Sequence, residues 1–291
     1  MFVLFGRART LALTVGLVVR GLVVAQAENA PPVLIAYACA FQLEMLVGQY
    51  DPHARRWLSN THAFVPPAAG SPVTLFGVNG KLAVVHIDES YRTRPDIQPW
   101  DWNVAISSWS RAATHVALAL SGQWPDLPHP PQVLPLTDVD AVNAVSAFLK
   151  ERTLDVPSPT ITEIYQVDLN GDGQEEKIIC ANTDTSKLTD AAPAAIYSLA
   201  LLRVSVNGQL QTLPLRADAA YKPANRSLDE HQRLHGRTAF YQALALSDVI
   251  RDGHEQIAIL NNNRYEGPEM DLFSFGQGKV RHLLSTRKLY L

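Results

Sequence analysis

The residues best suited to chemistry lie in one short acidic loop near the middle of the chain. Asp168, Asn170 and Asp172 alternate along it, so a loop that curls around a cation presents all three side chains to the ion. Position seven of the loop, Gln174, offers a carbonyl, and position nine is Glu176. Ca²⁺ takes several oxygen ligands of these kinds. The spacing therefore predicts a Ca²⁺ site, and Ca²⁺ is the one cofactor that the sequence suggests.

The segments on either side of the loop exclude one calcium-binding architecture. An EF-hand loop has a bidentate Glu at position twelve and a helix on each side. Here position twelve is Ile179, and the flanking segments 160–167 and 177–181 have the composition of strands. The acidic loop is therefore expected to join two strands.

This strand–loop–strand segment resembles the calcium loops of the FG-GAP and VCBS-type repeats, which occur in integrin-like β-propellers and in many exported bacterial proteins. The resemblance is close over the loop and looser over the rest of the C-terminal half, and it does not extend to residues 28–136. It implies that the ion binds the carbonyl of Gln174 and four side chains. These are the side chains of Asp168, Asn170, Asp172 and Glu176. An acidic, glycine-rich loop can also be a solvated turn without an ion, and this alternative stays open.

A second, altered copy of the acidic loop lies 80 positions further along the chain, in residues 248–256. Repetition of strand, acidic loop, strand and hairpin is typical of propeller-like blades. The altered loop has the apolar Ile250 at position three, the cationic Arg251 beside it and the uncharged Gln256 at position nine. Its two remaining aspartates are too few ligands for Ca²⁺. We expect this loop to keep the turn and to have lost the ion.

The fold that must position these loops is predicted to be mainly β. Residues 28–136 are expected to form a small domain of β-hairpins. Residues 137–291 are expected to form a helix, at about 138–152, followed by two propeller-blade-like antiparallel sheets. Thr137 and Asp140 have the spacing of a capping box at the start of that helix.

Within the N-terminal part, two patterns predict particular strand pairs. Asn79-Gly80 lies between two apolar runs and predicts a hairpin with a type I′ turn, in which both central residues have a positive φ. Segments 103–108 and 114–120 predict a further pair of strands.

The first 27 residues have the pattern of a signal peptide, with positive charge at Arg7 and Arg9, an apolar core and a small-residue cleavage site. We therefore expect a secreted or periplasmic protein with no stable membrane span after signal cleavage. The formal net charge of the 291 residues is −3 and Lys and Arg do not cluster, so no nucleic acid partner is expected. Cys39 and Cys180 lie in apolar runs, which favours two buried thiols over a disulfide.

Two main functions fit these patterns, and a partner-docking subunit that uses an exposed blade edge is a third interpretation. The first is a calcium-stabilised, non-catalytic binding or structural module whose partner is an unknown protein or glycan. The alternative is an exported hydrolase acting on glycans, with Asp96 or Asp101 as a catalytic carboxylate beside Trp100 and Trp102. No nucleophile motif or phosphate-binding loop occurs in the sequence, so the non-catalytic function is favoured over an enzyme.

Overall fold

The computed structural model describes most of the chain between residues 33 and 285. The described residues are 33–38, 44–51, 53–59, 67–92, 102–106, 117–154, 156, 158–183, 195–221, 240–263 and 267–285. They form three antiparallel sheets and one helix, which confirms the prediction of a mainly β fold. The expected signal peptide and Cys39 lie outside the described residues.

The N-terminal sheet has eight strands. They are β1 (Val33–Ala38), β2 (Glu44–Asp51), β3 (Arg56–Ser59), β4 (Pro72–Gly77), β5 (Gly80–His86), β6 (Glu89–Arg92), β7 (Trp102–Ala105) and β8 (Ala117–Ser121). Their order is β5-β4-β8-β1-β2-β7-β6, and β3 also pairs with β2. The strands predicted at 103–108 and 114–120 are present as β7 and β8, but their pairing was predicted wrongly. β7 pairs with β2 and β6, whereas β8 lies between β1 and β4.

The hairpin of β4 and β5 is present, but its turn differs from the predicted one. Gly77 pairs with Gly80, so Val78 and Asn79 are the two central residues. Asn79 does not have the positive φ that a type I′ turn requires. An irregularity in the β4–β5 register accompanies this one-residue displacement of the turn.

The middle sheet has five strands in the order β13-β12-β11-β10-β9. They are β9 (Gln132–Val133), β10 (Ile161–Val167), β11 (Glu176–Asn182), β12 (Ala195–Val206) and β13 (Gln209–Tyr221). The turn between β12 and β13 has φ values of 52° at Asn207 and 76° at Gly208, as a type I′ turn requires.

A single helix among the described residues, α1 (Val139–Lys150), packs on one face of the middle sheet. Its N-cap is Asp138 and not the predicted Thr137, because the Asp138 side chain accepts a hydrogen bond from the Ala141 N–H at 2.9 Å. Lys177 of β11 also pairs with Asp138 at 2.9 Å, which ties the start of the helix to the sheet. The buried residues of the helix are Ala141, Ala144, Val145, Phe148 and Leu149.

The C-terminal sheet has four strands in chain order: β14 (Tyr241–Ser247), β15 (Gln256–Asn263), β16 (Gly267–Gly276) and β17 (Lys279–Ser285). β14 and β15 begin 80 positions after β10 and β11. The pairing is equivalent too, since Val167 pairs with Glu176 and Ser247 pairs with Gln256. The internal repeat expected from the sequence is therefore present in the strand–loop–strand units.

The largest hydrophobic core contains side chains from all three sheets, among them Leu120, Ile178 and Leu246. A second core lies between α1 and the middle sheet, and a third covers the other face of the N-terminal sheet. No helix in the described part of the chain is long and apolar enough to cross a membrane. The two acidic loops are thus held by strands that share one core.

Candidate functional site: two equivalent acidic loops

The first acidic loop joins β10 to β11, as predicted, and Asp168 closes it. The Asp168 Oδ1 accepts hydrogen bonds from the backbone N–H groups of Gly171 and Asp172 at 2.8 and 3.2 Å. Its Oδ2 accepts a third, from Gly173 at 2.9 Å. Gly171 and Gly173 have φ values of 70° and 81°, in the left-handed region that glycine adopts without strain. The glycines therefore permit the turn that brings the backbone onto Asp168.

Asn170 and Asp172 are linked to each other within the loop. The Asn170 Nδ2 donates to Asp172 Oδ2 at 3.0 Å, and the Asp172 N–H donates to Asn170 Oδ1 at 3.0 Å. The Asp172 Oδ1 accepts from the Gln174 N–H at 2.7 Å. Asp172 and Gln174 are exposed, whereas Asp168 and Asn170 are partly buried. Asp168, Asn170, Asp172 and Gln174 therefore lie within one hydrogen-bonded turn.

Glu176 is the buried member of the predicted ligand set. It is 2% exposed, and its Oε2 accepts a hydrogen bond from the Leu169 N–H at 2.9 Å. Burial raises the pKa of Glu176 to about 7; Asp172 and Asp168 add to the rise, and the bond from Leu169 opposes it. Among the described residues no positive charge contributes to this pKa, so none compensates the ionised form of Glu176 there.

The oxygen ligands of the first loop are of the kinds that Ca²⁺ binds, but its carboxylate side chains lie too far apart to bind one ion together. A carboxylate oxygen can accept about two hydrogen bonds. Asp168 Oδ2 and both oxygens of Asp172 accept one each, so each keeps a lone pair for a cation. In the described ranges, however, no three Asp, Glu, His or Cys side chains come close enough together to hold a metal ion. Binding Ca²⁺ therefore requires the side chains of the loop to move inward.

The second acidic loop joins β14 to β15 and has the same backbone closure. The Asp248 Oδ1 accepts from the Asp252 N–H at 3.1 Å, and its Oδ2 accepts from the Gly253 N–H at 3.0 Å. The Asp252 Oδ1 accepts from the His254 N–H at 3.0 Å, the counterpart of the Asp172 bond. The loop therefore keeps the turn, as predicted. The loss of the ion stays a prediction.

Position nine has the same structural role in both loops. Gln256 Oε1 accepts from the Val249 N–H at 2.7 Å, just as Glu176 Oε2 accepts from the Leu169 N–H. A neutral amide therefore replaces a carboxylate in this bond. Closure of the loop requires an acceptor at position nine, but it does not require a charge.

The two loops are in direct contact. The Glu255 N–H of the second loop donates to the Leu169 carbonyl of the first at 2.8 Å. The Glu255 side chain is fully buried, and its Oε1 accepts from the His129 N–H at 2.9 Å. Burial raises the pKa of Glu255 to about 7, and Asp248 and Asp168 add to the rise. The loops and the segment before the helix therefore form one electrostatically coupled unit.

Sequence reasoning missed Glu255 and His129. Glu255 occupies position eight of the second loop, where the first loop has the exposed Glu175. Glu255 is buried and accepts a hydrogen bond from the His129 N–H, whereas Glu175 is exposed and accepts a hydrogen bond from the Gln166 side chain. No feature of the sequence distinguishes the two glutamates.

Side chains also join the middle and C-terminal sheets near the start of β14. The Asn182 Nδ2 donates to the Tyr241 carbonyl and its Oδ1 accepts from the Tyr241 N–H, both at 3.1 Å. Glu163 accepts from the Ala243 N–H at 2.8 Å. Cys180, which lies next to this joint in β11, is a buried free thiol, as expected.

A buried carboxylate forms a second joint between these two sheets. Asp271 of β16 is fully buried and pairs with Arg216 of β13 at 2.5 Å and with His282 of β17 at 2.9 Å. Both partners are partly exposed at the surface. Asp271 therefore has a compensating cation, in contrast to Glu176.

The grouping of residues proposed for a glycan hydrolase stays a prediction. Asp96, Trp100 and Asp101 lie outside the described residues, and Trp102 is described only as part of strand β7. Trp124 is 6% exposed and its Nε1 donates to the Ser121 carbonyl at 2.8 Å. Its indole ring is therefore part of the packing and not an open platform for a sugar.

Comparisons of the chain with models of protein families, with characterised proteins and with solved structures found no match. The function must therefore be argued from the loops themselves.

Proposed function

We propose that this protein is an exported, non-catalytic binding or structural module that is stabilised by Ca²⁺ at its first acidic loop. Asp168, Asn170, Asp172 and Glu176 supply side-chain oxygens, and Gln174 supplies its carbonyl. The partner of the module is a protein or a glycan.

One observation carries the proposal. The Glu176 carboxyl group is buried beside Asp168 and Asp172, and its pKa is raised to about 7 by burial and by those two carboxylates. A divalent cation in the loop supplies the missing positive charge and favours the ionised form of all three groups. The Asp168 Oδ2 and both carboxylate oxygens of Asp172 each keep a lone pair for this contact.

Thermal unfolding in the presence of Ca²⁺ and of EDTA tests the proposal. A ligand that binds only the folded state at 100 times its Kd stabilises that state by about 2.7 kcal/mol. For a chain of this size we expect Tm to rise by about 5–10 °C in Ca²⁺. Mg²⁺ should raise Tm less, because it prefers a smaller and more rigid octahedral site.

The second loop provides a matched control. Asp172→Ala and Asp252→Ala each remove a carboxylate that accepts one N–H two residues further on, at 2.7 and 3.0 Å. The two variants should therefore have a similar Tm in EDTA. Only Asp172→Ala should lose the response to Ca²⁺. An equal response in both variants, or a Tm of the wild-type protein that is the same in Ca²⁺ and EDTA, excludes a calcium site in the first loop.

A further inference from the structure

A pocket of about 390 Å³ lies where the second acidic loop meets the N-terminal sheet. Its accessible apolar wall includes Pro125, Leu127 and Pro128, and its polar wall includes Asp248 and Arg251 of the loop. Pockets for small molecules typically measure roughly 300–1,000 Å³ and are mostly apolar, with a few polar groups that orient the ligand. The pocket thus has the size and the lining of a site for one small organic molecule.

Arg251 is oriented at this pocket by Trp124. Its Cζ lies 4.2 Å from the centroid of the Trp124 ring, within the range of a cation–π contact. The indole is itself fixed, because Nε1 donates to the Ser121 carbonyl at 2.8 Å and the backbone N–H donates to Thr74 Oγ1 at 3.0 Å. A stacked guanidinium keeps N–H groups free along its edge, and these match a carboxylate in a bidentate geometry.

Asp248 and Asp252 are hydrogen-bonded within their own loop and do not form an ion pair with Arg251. Both oxygens of Asp248 accept backbone N–H groups of their own loop, from Asp252 and Gly253. Asp252 faces His254, whose Nδ1 lies 3.8 Å from its Oδ2. Among the described residues no carboxylate forms an ion pair with the Arg251 guanidinium.

The turn itself does not account for an arginine at this position. Arg251 has a φ of 57°, in the left-handed region, and Gly171 at the same position of the first loop has a φ of 70°. Glycine adopts this conformation without the steric cost that a residue with a Cβ incurs. The first loop closes by two equivalent hydrogen bonds to Asp168 with glycine at this position, so the arginine side chain is not required for loop closure.

We propose that this pocket binds a small amphiphilic carboxylate. The apolar part of the ligand contacts Pro125, Leu127 and Pro128, and its carboxylate accepts hydrogen bonds from Arg251. Asp126 also lines the pocket and repels further negative charge, which restricts the ligand to a single carboxylate.

Calorimetric titration of the full chain with 3-phenylpropionate and with its neutral amide, 3-phenylpropionamide, tests the proposal. The two probes share the apolar part and differ in the group that faces Arg251. We expect the acid to bind about tenfold more tightly than the amide, because only the acid forms a charge-assisted bidentate pair. Equal affinities, or no binding of either probe, would overturn the proposal.

Arg251→Gly is the decisive variant. It gives the second loop the residue that the first loop has at this position, so it should fold with an unchanged or higher Tm. It should abolish the preference for the acid and leave binding of the amide unchanged. Arg251→Lys keeps the positive charge but lacks the planar guanidinium group, so it should retain a smaller preference for the acid. Asp126→Asn removes a negative charge from the pocket and should strengthen binding of the acid. A full preference in Arg251→Gly would contradict the proposal.

The two experiments distinguish the calcium site from the carboxylate pocket. Arg251 lies outside the proposed calcium loop, so the acid-to-amide preference should be the same in Ca²⁺ and in EDTA. A protein that does not respond to Ca²⁺ but prefers the acid contradicts only the calcium site. A protein that responds to Ca²⁺ and binds both probes equally contradicts only the carboxylate pocket.

Discussion

Position nine of the acidic loops separates a structural requirement from a chemical one. Glu176 and Gln256 accept the same backbone hydrogen bond, so the bond explains the need for an acceptor but not the choice of a buried carboxylate in the first loop. That carboxylate is unfavourable without a cation, since burial raises its pKa from an ordinary value of 4.5 to about 7. The charge at Glu176 is therefore the residue-scale feature that most needs a functional explanation.

Glu176→Gln tests this explanation through the pH dependence of stability. In EDTA, the stability of the wild-type protein should fall as the pH rises from about 4.5 to 7, because the unfolded state ionises Glu176 and Glu255 before the folded state does. Glu176→Gln removes one of these groups, so its stability should fall less over the same range. At pH 8 in EDTA the variant should be more stable than wild type, by on the order of 1–2 kcal/mol.

Urea denaturation at pH 5 and pH 8 measures both effects. Added Ca²⁺ should stabilise the wild-type protein at pH 8 and leave Glu176→Gln unchanged. A variant that is less stable than wild type at pH 8 in EDTA would show that the carboxylate makes a contact that the amide of Gln256 does not reproduce.

At the scale of elements, the two strand–loop–strand units are joined by hydrogen bonds from side chains to the backbone. These bonds take the place of the backbone–backbone hydrogen bonds that pair neighbouring strands. Asn182 uses both ends of its amide to bond the N–H and the carbonyl of Tyr241, as a neighbouring strand residue would. Glu163 continues the joint at Ala243. The joint links the end of β11 to the start of β14 and thereby holds the C-terminal sheet against the middle sheet.

Asn182→Ala should weaken this joint. It leaves the buried Tyr241 carbonyl without the Asn182 donor, and the Tyr241 N–H keeps only the Ser198 Oγ at 3.0 Å. We expect a loss of about 1–3 kcal/mol in the free energy of unfolding. Hydrogen exchange should show faster exchange of the Tyr241 amide. Gln211 of β13 is exposed, so Gln211→Ala is the control and should change the free energy of unfolding by less than about 0.5 kcal/mol. Equal protection of the Tyr241 amide from exchange in both variants would contradict a role for the joint.

At the scale of the whole molecule, local patterns predicted the elements better than their partners. The strands of both acidic units were predicted from alternating apolar residues and from the repeat of 80 positions. This succeeded because the strands of each unit pair with partners close in sequence. The pairing of β7 and β8 was predicted wrongly, because strands distant in sequence lie between them in the sheet. The loops were predicted from ligand spacing, but Glu255 acquires its burial from long-range packing beside His129, which no local pattern encodes.

The shared core predicts that the described sheets unfold together. Leu120 of β8 is fully buried in the core that also contains Ile178 of the middle sheet and Leu246 of the C-terminal sheet. Leu120→Ala should therefore lower the free energy of unfolding by about 2–5 kcal/mol. Tryptophan fluorescence and far-UV circular dichroism should report one coincident transition, since every sheet loses the same contacts. Leu82→Ala on β5, where the side chain is 53% exposed, is the control and should leave the transition almost unchanged. If Leu120→Ala shifts the fluorescence transition alone and leaves a second, unshifted transition in the circular dichroism, the N-terminal sheet is a separately folding unit.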